Sequence, residues 1–282
     1  MLVNNFSREL FGKMMDFVVY DVPEVLAEEI IDETYREALR LQKIFNFYDS
    51  GSELSQLNQL REKVVSPALL SVIKSALTLS ELTQGSYDVS LGKFILQRKQ
   101  GIMAEPTCSY KNVIIRENKV TLTHSDLLLD LGSIAKGFIT DKLATLLRDK
   151  GVENFLLDAR GDILVHGDYQ QIIEIQHPRE DKSIFSLKLK NQSVATSGDY
   201  NQYHQNYNLS HILNQNSTIS VTVVAPSSEE ADVYATALFT CNEQEQETLM
   251  AGNKKIKVLI IEKDNNFKMF NDFASLLAED SL

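Results

Sequence analysis

Residues 127–138 have the sequence LLLDLGSIAKGF, in which a short apolar run leads through a glycine into a helical pattern. We expect a buried strand through Asp130 and Gly132, followed by a helix over residues 133–150. Lys136 falls in the first turn of that helix. Free amides at a helix start, a glycine that admits a ligand and a lysine can together hold an anion. An ordinary strand-to-helix turn with an exposed lysine is the alternative, because the glycine spacings of phosphate-binding loops are absent.

The segments on either side mix helical and strand patterns. Apolar spacing predicts helices over residues 23–46, from Ser66-Pro67 to about Gln84, and in EEADVYATALFT. Strand-like runs lie in NVIIRENKVTLTH, NFLLDARGDILVHG, QQIIEIQ, IFSLKLKN, STISVTVVA and IKVLIIEK. Because helices and strands do not alternate regularly, the pattern predicts an α+β fold with mixed sheets and flanking helices. Neither a repeat nor a linker is visible, so we expect a single domain over residues 1–282.

Composition and charge limit the classes of partner. The chain has 282 residues, 43% of them apolar, and can fill a sizeable core. The formal net charge of -11 opposes a phosphate backbone or an anionic membrane surface, so we expect no nucleic acid partner. Neither a signal peptide nor an apolar run long enough for a membrane helix is visible, which predicts a cytoplasmic protein without membrane insertion. The two cysteines, Cys108 and Cys241, give no disulfide framework and no zinc-site spacing.

The segment EEADVYATALF contains a carboxylate and a hydroxyl at helical spacing. Asp232 and Thr236 are four positions apart and therefore share one face of the predicted helix. Their oxygens are hard ligands that suit magnesium, which often bridges to a substrate phosphate. Alternatively, Asp232 interacts with the start of its own helix while Thr236 packs. Spacing alone leaves both interpretations open.

Three further segments place polar residues at turns. They are Ser197-Gly198-Asp199 within SVATSGDYNQY, Gly161-Asp162 within LLDARGDILVHG, and Tyr87-Asp88 after a helix-stopping glycine. In isolation, hairpin turns and a buried tyrosine beside a turn aspartate are the simpler explanations.

The histidines offer one candidate general base. Four of the five lie at strand or loop positions without metal-ligand spacing, and we assign them no role. His211, in the run NLSHILNQNS, is the one we consider, because imidazole titrates near neutral pH.

Six segments taken in order resemble the motifs of the ApbE family, the FAD:protein FMN transferases: GSYDVSLG, DLGSIAKGF, GVENFLLDARGDILVHG, SVATSGDY, SHIL and ADVYATALF. SELSQLN at residues 52–58 also matches, and the resemblance covers about residues 14–262. It implies a single T-fold-like α+β flavin transferase domain that binds FAD in a cleft and requires Mg²⁺. Such an enzyme cleaves the FAD pyrophosphate and joins FMN through a phosphoester to a Thr or Ser hydroxyl of an acceptor flavoprotein, and AMP leaves.

The resemblance also implies roles for individual residues. Asp232 and Thr236 match the family's metal ligands, a backbone carbonyl near Ser133 would complete the protein's share, and Asp232 thereby counts as catalytic. Lys136 would sit beside the phosphates or the nucleotide, and His211 would deprotonate the acceptor hydroxyl. The residues on motifs that wall the FAD cleft are Tyr87, Asp88, Gly161, Asp162, Ser197, Gly198, Asp199 and Tyr200.

Three segments depart from the family pattern. HILNQNST replaces His-Ile-Ile-Asp-Pro-x-Thr-Gly, Met15-Asp16-Phe17 replaces Met-Gly-Thr, and Arg160-Gly161 replaces a glycine pair. We expect the first change to reshape the loop over residues 214–218. An aspartate or a bulky phenylalanine at the second would alter the approach of the flavin. The metal and pyrophosphate motifs are intact.

Three activities are compatible with this pattern. The first is transfer of FMN to a Thr or Ser of an acceptor protein. The second is an FAD pyrophosphatase that releases FMN and AMP without an acceptor, because the altered HILNQNST loop no longer presents one. The third is a non-catalytic FAD-binding protein with a degenerate site.

Overall fold

The computed structural model describes residues 2–199 and 217–279. The strands are β1 (Val3–Leu10), β2 (Lys13–Tyr20), β3 (Glu62–Val64), β4 (Val113–Arg116), β5 (Lys119–Leu122), β6 (Phe155–Asp158), β7 (Ile163–His166), β8 (Gln171–Gln176), β9 (Ser183–Leu189), β10 (Gln192–Gly198), β11 (Thr218–Ala225), β12 (Lys257–Glu262) and β13 (Phe267–Phe270). The helices are α1 (Glu24–Phe45), α2 (Glu53–Leu60), α3 (Pro67–Leu82), α4 (Gly92–Lys99), α5 (Ala135–Asp149), α6 (Ser228–Thr240) and α7 (Glu243–Gly252). None of the helices in this described part is long and apolar enough to cross a membrane.

A large antiparallel sheet forms the centre of the described structure. Its eight strands lie in the order β1-β2-β6-β7-β10-β11-β12-β13, and each strand is antiparallel to its neighbours. A three-stranded sheet, β3-β5-β4, and the hairpin β8-β9 lie outside it. Helices and antiparallel strands occur together without a βαβ alternation, which confirms the α+β prediction.

The large sheet is covered on both faces. Strand β11 is buried along its whole length. Ala195 and Val223 face the core that includes residues of α1, α3, α5 and α6, whereas Val194 and Val224 face a second core beneath the β8-β9 hairpin. Neighbouring residues of a strand point to opposite faces, so one strand serves both cores. The helices that carry the candidate site are therefore anchored on one face of the sheet.

The segment before α5 differs from the prediction. Residues 127–132 were expected to form a strand, but they make only one isolated bridge, between Leu128 and Leu91. The side chain of Asn58 satisfies the backbone of Leu129 instead: its amide donates to the Leu129 carbonyl at 2.9 Å and its carbonyl accepts from the Leu129 amide at 2.8 Å. The Asn58 side chain thus serves Leu129, while the Leu128 carbonyl accepts from the Gly92 amide and the Asp130 amide donates to the Val89 carbonyl. The segment is hydrogen-bonded on both sides without belonging to a sheet.

Strands β1, β2, β3 and β13 lie outside the predicted strand-like runs and were missed. The remaining differences concern helices. Helices α1, α3 and α5 lie within two residues of their predicted ends. The SELSQLN motif supplies the N-cap, Ser52, and most of the eight-residue helix α2. Helices α4 and α7 were not predicted. Asn242 and Glu245 form a capping box at the start of α7, which is a sequence signal that could have located that helix.

Helices α5 and α6 approach each other at a glycine. A Cβ atom added to Gly137 would lie 2.3 Å from the carbonyl oxygen of Ser228 and 2.7 Å from Cα of Glu229. Both neighbours are backbone atoms at the start of α6, so they cannot rotate away. Glycine at residue 137 is therefore what allows the two helices to come this close.

We expect Gly137→Ala to destabilise the protein, because the new methyl group must push the two helices apart. The cost should be about 1–3 kcal/mol, the usual range for overpacking. The free energy of unfolding, measured by denaturant titration, checks this. Gly252→Ala is the matched control, since Gly252 is also helical and a Cβ there would have no neighbour within 4 Å. Equal stability of the two variants would contradict the close contact.

Candidate functional site

A lysine between two buried aspartates lies where α5 begins. The ammonium of Lys136 forms a close ion pair with Asp162 and lies 3.4 Å from Oδ1 of Asp232. Asp162 comes directly before β7 and Asp232 lies in α6, so three separate elements meet at this point. Asp162 and Asp232 are each 4% exposed, while the Lys136 side chain is 41% exposed.

The charges of this cluster do not balance. Burial raises the pKa of Asp162, the charge of Asp232 adds to that rise, and Lys136 opposes it. Burial alone would lower the pKa of Lys136, but the two carboxylates outweigh burial and hold that pKa above its usual value. With both aspartates ionised, one ammonium faces two carboxylates, and the cluster favours a further cation.

Asp232 is oriented by the backbone of α5. Its Oδ2 accepts a hydrogen bond from the Gly137 amide at 3.2 Å, in the first turn of that helix. A carboxylate is stabilised there by the free amides and by the positive end of the helix dipole. One oxygen of Asp232 is thus committed to the helix, and the other faces Lys136.

Two pairs of hydroxyl groups extend the site. The hydroxyls of Tyr87 and Ser133 are 2.9 Å apart, and so are those of Ser197 and Thr236. Burial raises the pKa of Tyr87, the bond to Ser133 opposes that rise, and the charge of Asp232 adds to it. Tyr87 therefore keeps its proton at neutral pH and acts as a hydrogen-bonding group. The second pair links the end of β10 to the face of α6 that carries Asp232.

The donor set fits magnesium better than a metal held wholly by the protein. No three His, Cys, Asp or Glu side chains come together as a metal site in residues 2–199 and 217–279. Asp232 offers a carboxylate oxygen, Thr236 offers a hydroxyl on the same face of α6, and Ser133 precedes the start of α5 on which Asp232 is held. Magnesium is commonly bound by one or two carboxylates, several waters and substrate phosphates. The surplus negative charge and the oxygen donors therefore fit Mg²⁺.

Comparison with known proteins places the chain in a family. The model of the ApbE family matches residues 11–260. The chain belongs to the ApbE family. A protein named FAD:protein FMN transferase from Vibrio cholerae serotype O1 is 28% identical over 255 residues, which cover 79% of this chain and 76% of that protein. One of the same name from Haemophilus influenzae is 28% identical over 259 residues, covering 78% and 75% of the two chains.

Solved structures of the family have the same fold. The flavin transferase ApbE from Vibrio cholerae superposes with a TM-score of 0.81 at 25% identity, covering 98% of this chain and 99% of the other. The ApbE protein from Thermotoga maritima gives a TM-score of 0.85 at 23% identity, covering 99% and 100% of the two chains. The first comparison supports the family assignment, and the second supports the fold.

Several residues that the ApbE resemblance selected form three contacting groups in the structure. They are Lys136 with Asp162 and Asp232, Tyr87 with Ser133, and Ser197 with Thr236. Tyr200 and His211 lie outside the described residues, as does most of HILNQNST.

Two of the predicted FAD-binding carboxylates have protein partners in this structure. Asp88 accepts hydrogen bonds from the Ser90 amide at 2.8 Å and the Tyr110 amide at 2.8 Å. Asp199 forms a two-pronged ion pair with Arg179, with N–O distances of 2.6 and 2.8 Å. Asp88 thus fixes the local loop, and Asp199 joins the β8-β9 turn to the end of β10. Their contact with FAD stays a prediction.

Gly161 belongs to the turn that delivers Asp162. Arg160 and Gly161 have φ values of 64° and 99°, and Ala159 donates to the Asp162 carbonyl at 2.9 Å. Two consecutive residues with positive φ are the signature of a tight hairpin turn, for which glycine is favoured. The family's glycine pair suits this geometry, and Arg160 adopts it at some conformational cost.

Gly198 ends β10 opposite Ser220 of β11.

Within the altered segment at residues 15–17, Phe17 does not have the expected effect on the approach of the flavin. Phe17 is 0% exposed and packs in the main core, so it cannot meet a flavin. Asp16 points to the opposite face of β2, pairs across the sheet with Asp158 and accepts a hydrogen bond from Ser7. Burial raises the pKa of Asp158. The hydrogen bond from the Gly161 amide opposes this rise, and the charge of Asp16 adds to it.

An open cleft lies beside the segment that precedes α5, and the sequence did not predict the residues that line it. Its volume is about 360 Å³, and Phe47, Tyr48, Ser55, Asn58 and Leu128 are among the residues that line it. Asn58 also hydrogen-bonds Leu129, in the segment that leads into α5. The same side chain therefore lines the cleft and fixes the segment before the charged cluster. The SELSQLN motif was the available signal, because it contains two of the lining residues.

We expect Asp162→Asn to weaken Mg²⁺ binding about tenfold, or about 1.4 kcal/mol. The change removes one negative charge from the cluster, and it also frees Lys136 to pair more closely with Asp232. Both effects oppose a cation. Isothermal titration of the metal-free protein with Mg²⁺ measures the affinity.

The matched control for this prediction is Asp126→Asn. Asp126 also pairs with a lysine, Lys93, at 2.6 Å, but it lies outside the cluster. We expect this variant to bind Mg²⁺ with the affinity of the unchanged protein. If Asp162→Asn and Asp126→Asn bind Mg²⁺ equally well, the surplus charge at Asp162 does not attract the cation.

Proposed function

We propose that this chain transfers the FMN moiety of FAD to a Thr or Ser hydroxyl of an acceptor flavoprotein, with release of AMP. The observation that carries the proposal is the cluster of Lys136, Asp162 and Asp232 at the start of α5. A pyrophosphate needs positive charge around it, and this cluster offers an ammonium and, when Asp162 is ionised, a surplus negative charge that attracts a cation. Relatives named FAD:protein FMN transferase support the choice of substrate.

The proposed reaction is an exchange at one phosphorus atom. The bond between the FMN phosphorus and the bridging oxygen breaks, and the acceptor Oγ bonds to that phosphorus. AMP leaves with the bridging oxygen, and the hydroxyl proton passes to a base. His211 is the residue we propose for that base, on the resemblance alone, although phosphoryl transfer needs little help from one.

The chain's own residues would bind and orient the reactants. Asp232 and Thr236, with an oxygen of Ser133, would hold Mg²⁺, whose charge would stabilise the transferring and leaving oxygens. Lys136 would turn from Asp232 toward the phosphates, and Asp162 would keep its ammonium nearby. Tyr87 would fix Ser133 through their hydroxyl pair.

The proposal also covers the domain organisation, the acceptor and the location of the protein. We propose that residues 1–282 act as one domain. The acceptor would carry a Thr or Ser flavinylation motif. The cytoplasmic location stays a prediction of the sequence.

Incubation with FAD tests the proposed function. The protein is supplied with FAD, with Mg²⁺ or EDTA, and with or without an acceptor protein that carries a flavinylation motif, while AMP, FMN and protein-bound flavin are followed. We expect AMP and flavin-labelled acceptor to form together, and only with Mg²⁺. AMP with free FMN would indicate the pyrophosphatase, and bound but uncleaved FAD would indicate the non-catalytic protein.

In the same assay, we expect Asp232→Ala to lose at least about a hundredfold in AMP formation, because removing a metal ligand costs transition-state stabilisation. Asp168→Ala is the control, since that aspartate pairs with Lys190 and its side chain is 93% exposed. Full activity of Asp232→Ala would contradict the assigned site.

A further inference from the structure

Asp141 joins the start of α6 to α5. Its Oδ1 accepts from the Ser228 amide at 2.8 Å, and its Oδ2 accepts from the Glu229 amide at 2.9 Å. These are the first two residues of α6, whose amides have no partner within their own helix. A carboxylate on one helix thus caps the next helix in the site.

Asp232 does the same in the opposite direction. It lies in α6 and accepts from the Gly137 amide, in the first turn of α5. In each helix the carboxylate lies four residues after the amide that the other helix holds: Asp141 after Gly137, and Asp232 after Ser228. One turn separates residues four apart, so each helix presents an amide and a carboxylate on the same face. The two helices therefore hold each other at two points.

Asp141 and Asp232 differ in how many of their carboxylate oxygens are bound by the helix backbone. Asp141 uses both oxygens on backbone amides, whereas Asp232 uses one and turns the other toward Lys136. Charge-assisted bonds from a carboxylate to helix amides are stronger than neutral ones. Asp141 is thus fully committed to joining the helices, and Asp232 offers the oxygen that the site uses.

Helix α6 has a local cap besides Asp141. Ser227 caps the same helix locally, because its hydroxyl accepts from the Glu230 amide at 3.2 Å. Loss of Asp141 would leave that cap in place and would remove the link from α6 to α5. The contacts of Asp232 with the Gly137 amide and with Lys136, and the packing of Gly137 on Ser228, would then remain between these two helix starts. What Asp141 adds to the local cap is the link to α5.

We propose that Asp141 is a positioning residue, which holds α6 against α5 so that one oxygen of Asp232 faces the cation and the phosphates. The inference rests on the proposed function, since it assigns Asp232 to the metal. Asp141 itself touches neither the cation nor FAD. Its effect passes through the backbone of Ser228 and Glu229 and one turn of α6.

Mn²⁺ binding tests this role without FAD and without catalysis. Mn²⁺ prefers the same oxygen ligands as Mg²⁺ and gives a paramagnetic signal that reports free ion. The dissociation constant is measured for the unchanged full-length chain, Asp141→Ala, Asp141→Asn and Ser227→Ala, together with the thermal midpoint of each. Ser227→Ala is the matched control, because it removes a cap from the same helix but no bond to α5.

We expect Asp141→Ala to raise the Mn²⁺ dissociation constant at least tenfold. Asp141→Asn should have a smaller effect, since its amide oxygen can accept one of the two bonds while its NH₂ group cannot accept the other. Ser227→Ala should lower the thermal midpoint yet change the dissociation constant less than twofold. A merely structural role would move the midpoints alone.

Other outcomes would overturn the inference. Unchanged Mn²⁺ affinity in folded Asp141→Ala, or in folded Asp141→Asn if the alanine variant does not fold, excludes the positioning role. The same follows if Ser227→Ala weakens Mn²⁺ as much as the Asp141 variants do, or if the unchanged protein binds no Mn²⁺. If Mn²⁺ binds and depends on Asp141 but FAD is not cleaved, the proposed function fails while the positioning role stands.

Discussion

The contact between Gly137 and the start of α6 sets the position of the charged groups in the site. Any larger residue at 137 would meet the backbone of Ser228, so the two helices could not lie at this distance. That distance brings the carboxylate of Asp232 to the first turn of α5 and beside Lys136. The packing of the two helices on one face of the large sheet therefore determines which charged groups meet in the site.

That arrangement has a physical cost that a ligand can repay. Two carboxylates and one ammonium in a largely buried place leave negative charge without a partner, which folding alone does not favour. A chain with a net charge of -11 would also repel the phosphates of FAD. A cation bound between Asp232 and the phosphates would remove both difficulties. The affinity for the cation and for the dinucleotide should therefore depend on each other.

The sequence predicted the helices with regular apolar spacing, most of the strands from β4 to β12 and the residue types of the site, because these follow from local patterns and from the resemblance to the ApbE family. It did not predict the β1-β2 hairpin or β13. It did not predict contacts between distant segments. Asn58 hydrogen-bonds the backbone of Leu129, Asp199 is paired with Arg179, and alternation along β2 buries Phe17 in the core. The link from Asp141 to α6 likewise spans 87 positions in the chain. Only the folded backbone brings such groups together.

We propose that Asp232 holds a cation beside the FAD phosphates at the junction of α5 and α6. The most direct measurement is a crystal structure of the protein with FAD and Mn²⁺, with the metal located by anomalous scattering. We expect a metal peak about 2.0–2.2 Å from an oxygen of Asp232, in the range for hard cations, with Lys136 turned toward the phosphates. A metal peak elsewhere, or FAD bound with Lys136 still on Asp232, would contradict it.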